Sequence, residues 1–436
     1  MTADTDSWLP RTRADLGRLK LERLRSLLRT ILPANAFYAA KLARVATEIE
    51  SLDELAEWPF TFKEELVEAG LTAGRPANLT HAADRYVRYH QTSGTHGRPL
   101  PVFDTAEDWS WWMECWRLIL DRGTVRAGDR VLVASSFGPY AGFWSAFEAM
   151  LDRGAMAIPT GGMPSLSRLE LARSLAATVL VATPSYALHL AEVARERKID
   201  TAGLPIRLVI VAGEPGGSIR SVRTRIAEAW GAEVLDHAGA TEVGPWGVGD
   251  LHGRGVDVLE PWFHPEFLSV ETGRPAGPGE LSELVLTTLG RTGAPVIRYR
   301  TGDLVRPRWP ADDNTDGRAW VCLEGGILGR TDDMLVVRGV NVFPGAIDDI
   351  VRSFPEVVEY RLTVTTQECL DALFLEIEDH LDAPDRVARE LQVRLGLRVD
   401  VITVPIGSLP RFEGKGRRII DRRAHLPPPV HPTLQP

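Results

Sequence analysis

Residues 91–99 read QTSGTHGRP. The hydroxyls of Thr92, Ser93 and Thr95, the backbone N–H groups and the Arg98 guanidinium are all hydrogen-bond donors. Gly94 and Gly97 let a bound group come close to the main chain. A loop rich in donors and poor in bulk suits a phosphate. The same residue types also make an ordinary polar turn, so this stretch alone leaves both readings open. Four further patches mix glycine with groups that could do chemistry: HAGATEVGPWG (237–247), IRYRTGDLV (297–305), GRTDDMLVVRGVNVFP (329–344) and LPRFEGKGRRIIDRR (409–423). A carboxylate such as Glu242 or Asp303 can hold a metal or accept hydroxyl donors. Taken singly, each is equally a solvated surface carboxylate, and Lys415 between glycines is equally a flexible turn.

These patches need elements to position them. From DRVLVASSF (129–137) to AEVLDHAG (232–239), short apolar runs alternate with helical stretches. That alternation predicts parallel βαβ units. Near 270–310 the pattern changes to short strands between Gly/Pro-rich turns, which predicts an antiparallel or barrel-like piece. A helix near 344–354, two strands, a helix near 383–395 and a last strand predict a small α+β domain. The expected fold is α/β, with a large N-terminal domain over 1–329 and a small C-terminal domain over 330–436. Gly329 and the TDD turn make a plausible hinge. Leu16, Leu19, Leu21, Leu24, Leu27 and Leu28 predict an amphipathic N-terminal helix lying on a core. WSWWMECW (109–116) has helical spacing and reads as core or subunit interface.

The bulk numbers restrict the function classes. The chain has 436 residues and a formal net charge of −9. An acidic balance argues against non-specific binding to nucleic acid or an anionic membrane. No run of 18 apolar residues and no signal core occurs, so a cytoplasmic protein is expected. Three separated cysteines imply neither a disulfide framework nor a zinc site. No G-x-x-x-x-G-K-[ST] loop occurs, and no G-x-G-x-x-G follows a strand to open a helix.

Together the five patches resemble, in order, the motifs of the adenylate-forming superfamily, and within it the phenylacetate–coenzyme A ligase family. That family carries a Ser/Thr/Gly phosphate loop, G-x-[ST]-E, Y-R-T-G-D, G-R-x-D-D-M followed by R-G-V-N-V-F-P, and a C-terminal E-G-K-x-R-R. The resemblance runs from about residue 30 to 423. It implies an Mg·ATP-dependent ligase that joins a carboxylic acid to AMP, releases pyrophosphate and passes the acyl group to the thiol of coenzyme A.

The resemblance also implies roles. Thr92, Ser93, Gly94, Thr95 and Gly97, with Arg98 nearby, would cradle the β- and γ-phosphates. Glu242 would be the Mg²⁺-associated carboxylate, with Thr241 beside it. Asp303 would accept the ribose hydroxyls and Arg330 would contact ribose or phosphate. Gly213, Glu214, Pro215, Asp236, Ala238, Gly239 and Gly339 complete the nucleotide- and coenzyme-binding set. Lys415 would be the catalytic lysine, and the small domain would rotate about Asp332 between half-reactions. The arginines at 411, 417, 418, 422 and 423 form either a basic patch for the CoA phosphates or a solvated face.

Two residues depart from the family pattern. Ala238 stands where relatives carry an aromatic ring that packs on adenine, and His96 stands where a second Ser or Thr is usual. The segment after Glu242 has His252 and His264 but no cysteine, so no zinc is expected. The family's acyl pocket lies among the helix after SSFGPYAGFW, the AGEP loop and the TEVGPWG segment. Phe137, Tyr140, Phe143, Trp144, Pro245 and Trp246 could wall it, favouring an aryl or arylalkyl acid. A carrier protein, an amine or another nucleophile stays open as acceptor, as does a catalytically idle nucleotide binder. Relatives are often homodimers.

Overall fold

The computed structural model describes residues 9–68, 75–92, 99–310, 319–331, 335–337, 340–367, 370–411 and 418–423. The chain divides into two compact units, Met1–Asp332 and Asp333–Pro436.

The first unit opens with α1 (Arg13–Ile31), whose N-cap Thr12 accepts the backbone N–H of Asp15. Leu16, Leu24, Leu27, Leu28 and Ile31 are its buried apolar face. Two short helices follow, α2 (Ala36–Lys41) and α3 (Lys63–Glu68). Next comes an antiparallel ribbon of β1 (Tyr86–Gln91) and β2 (Pro101–Thr105). Thr105 and Asp108 form a capping box that starts α4 (Ala106–Arg122). Trp109, Trp111, Trp112 and Trp116 of α4 are all buried in the core, as their spacing predicts.

Strands and helices then alternate: β3 (Arg130–Val133), α5 (Ala141–Asp152), β4 (Met156–Pro159), α6 (Ser165–Ser174) and β5 (Val179–Ala182). The series continues with α7 (Pro184–Glu196), β6 (Leu208–Ala212), α8 (Arg220–Trp230) and β7 (Glu233–Ala240). These five strands are parallel and lie in the order β4-β3-β5-β6-β7. The order reverses between β3 and β5. One apolar core fills the face covered by α4 and α5, and a second fills the face covered by α6, α7 and α8. Such a reversal opens a crevice beyond the carboxyl ends of the strands, where ligands of doubly wound sheets bind.

The sheet does not stop at β7. The antiparallel strands β8 (Gly244–Gly249) and β9 (Gly255–Val258) extend it. β10 (Phe263–Ser269), β11 (Ser282–Thr288), β12 (Tyr299–Val305) and β15 (Gly329–Arg330) form a separate four-stranded antiparallel sheet. Two further strands, β13 (Pro307–Arg308) and β14 (Cys322–Glu324), close the main sheet at nine strands. The antiparallel extension was not foreseen, because GPWGVG is a poor strand by composition. Its glycines are needed for close approach. A Cβ at Gly247 would sit 2.6 Å from Val256 Cγ1, and one at Gly249 2.9 Å from Asp236 Cβ.

The second unit begins with the hairpin β16 (Leu335–Val337) and β17 (Val340–Val342). It continues with α9 (Pro344–Arg352), β18 (Val357–Gln367), β19 (Leu370–Asp379), α10 (Pro384–Leu395), β20 (Val399–Thr403) and β21 (Ile419–Asp421). Its sheet runs β20-β19-β18-β21 around a core of its own. Three of the arginines read from the last patch are paired here. Arg411 meets the buried Glu378, Arg418 meets Glu359, and Arg423 meets Asp371 and Asp421. Glu359 also faces Arg352 at 3.3 Å. Burial alone would raise the Glu359 carboxyl, but the charges and hydrogen bonds of Arg352 and Arg418 outweigh it and hold it at about 2. No helix among the described residues is long and apolar enough to cross a membrane.

Candidate active site

Several of the residues singled out in the first unit stand at or just past the carboxyl ends of the parallel strands β6 and β7. Gly213, Glu214 and Pro215 follow β6 directly. Gly213 has φ +95°, a left-handed conformation that favours glycine. Glu214 Oε1 accepts the Ser185 N–H at 2.7 Å, satisfying one of the open donors at the start of α7. Asp236, on β7, accepts the Ser218 hydroxyl at 2.6 Å, and burial raises its carboxyl above the usual range. Ala238 lies opposite Gly247 on β8.

Thr241 and Glu242 occupy the tight turn from β7 to β8. The turn fixes Glu242 through both its main chain and its side chain. Arg291 Nη1 donates to the Glu242 carbonyl at 2.8 Å, and the Tyr299 hydroxyl donates to Oε1 at 2.9 Å. Lys63 Nζ lies 3.9 Å from the same oxygen. Arg291 is itself anchored to Asp104 at 2.6 Å, with both side chains fully buried. Oε2 has no hydrogen-bond partner among the described residues. One oriented carboxylate with a spare oxygen fits a Mg²⁺ ion that takes its remaining ligands from phosphate and water. Among the described residues no three metal-ligating side chains cluster.

Lys63, Arg291 and Tyr299 were not assigned roles from the sequence. Tyr299 stands inside IRYRTGDLV, so its patch was visible. Lys63 and Arg291 come from segments that carry no local signal.

Asp303 and Arg330 face each other on β12 and β15. Arg330 Nη1 lies 3.2 Å from Asp303 Oδ1 and donates to the Thr301 carbonyl at 3.2 Å. Gly302 between them has φ +75°, and a Cβ there would lie 3.0 Å from Arg330 Nη2. Thr92 ends β1. Its N–H donates to the Leu100 carbonyl at 3.0 Å, and its hydroxyl accepts the Leu100 N–H at 2.9 Å. Ser93, Gly94, Thr95, Gly97, Arg98, Asp332, Gly339 and Lys415 lie outside the described residues.

The aromatic candidates separate. Phe137, on the loop after β3, packs edge-on against Trp144 at 4.8 Å and against Phe147 at 5.6 Å. Tyr140 and Trp144 are exposed, and Phe143 is half-buried. Pro245 is buried, and Trp246 has no exposed surface and packs in the core on the α4 side of β8. Phe147 belongs with the first group, although its position inside a helix gave no such signal.

On the same side, His237 packs its ring 4.6 Å from that of Trp116, whose Nε1 donates to Ser145 of α5 at 2.9 Å. His237 Nδ1 lies 2.8 Å from the Gly247 carbonyl. Burial lowers the imidazole pKa to about 4, so the ring is neutral near pH 7.

The AMP-binding enzyme family profile matches residues 25–290, and the AMP-binding enzyme C-terminal domain profile matches residues 339–423. A phenylacetate-coenzyme A ligase of Pseudomonas putida is 30% identical over 427 residues, covering 94% of each chain. One from Thermus thermophilus is 30% identical over 447 residues, covering 95% of this chain and 98% of its own. Among solved structures, 2-hydroxyisobutyryl-CoA ligase in its postadenylation state with 2-HIB-AMP superposes with a TM-score of 0.89. That likeness is at 29% identity and covers 97% of this chain and 93% of the other. The chain therefore belongs to the phenylacetate–coenzyme A ligase family of AMP-binding, adenylate-forming enzymes, and it is an AMP-forming acid–CoA ligase.

Proposed function

We propose that the acid is aromatic: an aryl or arylalkyl carboxylate is joined to AMP with release of pyrophosphate, then passed to the thiol of coenzyme A. The observation that carries this reading is the aromatic set of Phe137, Trp144 and Phe147, at the strand end where the sheet order reverses. Phe and Trp faces bury a large planar area and favour ring–ring contacts. The relatives named phenylacetate-coenzyme A ligase point the same way.

Around that acid, Glu242 would hold Mg²⁺, and Thr92 with the donors at 93–98 would hold the terminal phosphates. Asp303 would accept the ribose hydroxyls, with Arg330 beside it. When bound, Mg²⁺ supplies positive charge against the phosphate oxygens. Lys415 would bridge the carboxylate and the α-phosphate as charge develops between them. The absence of a long apolar helix among the described residues fits work in the cytoplasm.

The test is pyrophosphate release across a panel of aryl, arylacetic and aliphatic acids, with and without coenzyme A. Turnover that rises with coenzyme A and is highest for an aromatic acid supports the reading. A clear preference for aliphatic acids overturns the aromatic assignment. Adenylate formation that coenzyme A leaves unchanged would move the acceptor to a carrier protein or another nucleophile.

A further inference from the structure

The two ring nitrogens of His237 have different surroundings. Nδ1 is 2.8 Å from the Gly247 carbonyl, which can only accept, so Nδ1 carries the proton. A neutral imidazole has one proton, and Nε2 is left with its lone pair. Among the described residues Nε2 has no hydrogen-bond partner. The residue is only 7% exposed, so this is a nearly buried acceptor waiting for a donor.

Where Nε2 looks is given by Gly239. A Cβ at Gly239 would begin 3.5 Å from Nε2, and Gly239 itself is exposed. Nε2 thus lies beside the exposed Gly239 at the end of β7, where the Gly244 carbonyl and Pro245 Cα flank the same Cβ position at 3.1 and 3.3 Å. The opposite flank of the ring is fixed. Trp116 packs against it, and Trp116 is tied to Ser145, which follows Phe143 and Trp144 on the first turns of α5. The acceptor therefore lies between Gly239, three residues before Glu242 in the chain, and Trp116, which is tied to the helix that carries Phe143 and Trp144.

We propose that His237 is a specificity-determining residue that accepts a hydrogen bond from a donor group, a hydroxyl or amino substituent, on the acid. This inference rests on adenylation of an acid at this site. An acid without the donor leaves Nε2 desolvated and unpaired, which a purely apolar wall would not penalise.

Matched pairs of acids that exchange OH for CH₃ test it: 4-hydroxy- against 4-methylphenylacetic acid, the 3-substituted pair, and 2-hydroxyisobutyric against pivalic acid. The readout is kcat/KM for pyrophosphate release. The wild type should prefer the hydroxyl member of the best-used pair by about tenfold or more, the worth of one buried hydrogen bond. His237→Phe should abolish that preference while leaving the KM for ATP unchanged, and His237→Gln, which keeps an acceptor, should retain part of it. Equal use of both members in every pair by the wild type overturns the proposal even if no variant folds. So does a preference that survives in His237→Phe. Absence of pyrophosphate with any acid would instead bring down the adenylation reading, and this inference with it.

Discussion

Asp303 and Arg330 stand directly opposite each other on antiparallel strands, with the guanidinium 3.2 Å from the carboxylate. Asp303 is buried and Arg330 half-buried, so the pair is partly shielded from water. The arginine braces the carboxylate from one side.

From this pairing, Arg330→Ala and Asp303→Asn should each raise the KM for ATP, by roughly tenfold to a hundredfold for a charged hydrogen bond. Because the two side chains touch, the double variant should lose less than the product of the single losses. Steady-state kinetics of the three variants check this. Multiplicative losses would show that the pair does not work as a unit.

Tyr299 donates to Glu242 Oε1 from a fully packed position. Tyr299→Phe keeps the ring and removes that donor. The Mg²⁺ concentration giving half-maximal pyrophosphate release should rise about 10–100-fold, as is usual when a group orienting a metal-bound carboxylate is lost. A titration curve that does not move would detach Glu242 from the metal.

Lys415→Ala should abolish adenylate formation, costing about 3–4 kcal/mol of barrier, while thioester formation from pre-made acyl-AMP persists. Measuring the two half-reactions separately decides it. Equal loss in both would remove the lysine from a first-step role.

The second unit carries an acid-sensitive pair network. Glu359 is held at about 2 against an ordinary value of 4.5. A carboxyl with a lowered folded-state pKa stabilises the fold fully above about 4.5, and that stability is lost as pH falls from there towards 2. The loss is of order 3 kcal/mol at most. Unfolding midpoints of the full chain measured across that window should fall, and Glu359→Gln should flatten the fall while lowering stability at neutral pH. An unchanged acid limb in the variant would sink the assignment.

The parallel half of the sheet was legible because buried strands such as LVIVA in β6 are continuous apolar runs. Its antiparallel half was not, since β8 is half glycine, with one proline, one tryptophan and one valine, and only its close contacts explain it. The carboxylates Glu242 and Asp303 could be picked out because they stand in glycine-flanked patches, and Asp236 only through the family resemblance. Their partners could not. Lys63 lies 179 positions from Glu242 in sequence, and Arg291 lies 49 away, so only the folded chain brings them together. Pro245 and Trp246 were read as wall residues because the resemblance puts the family's acyl pocket beside the TEVGPWG segment. A strand's two-residue period then puts Trp246 on the α4 side, with no exposed surface.

The same period has a consequence for how this enzyme could be altered. On β7, Asp236 points to Ser218 on one face while His237 points to Trp116 on the other. Chain neighbours thus face opposite sides of the sheet. Substitutions at His237 and Trp116 touch different partners from those at Asp236 and Ser218, and changes without shared partners tend to add independently. Under the proposed role of His237, the acid preference would change one residue at a time while the Asp236–Ser218 contact stays intact.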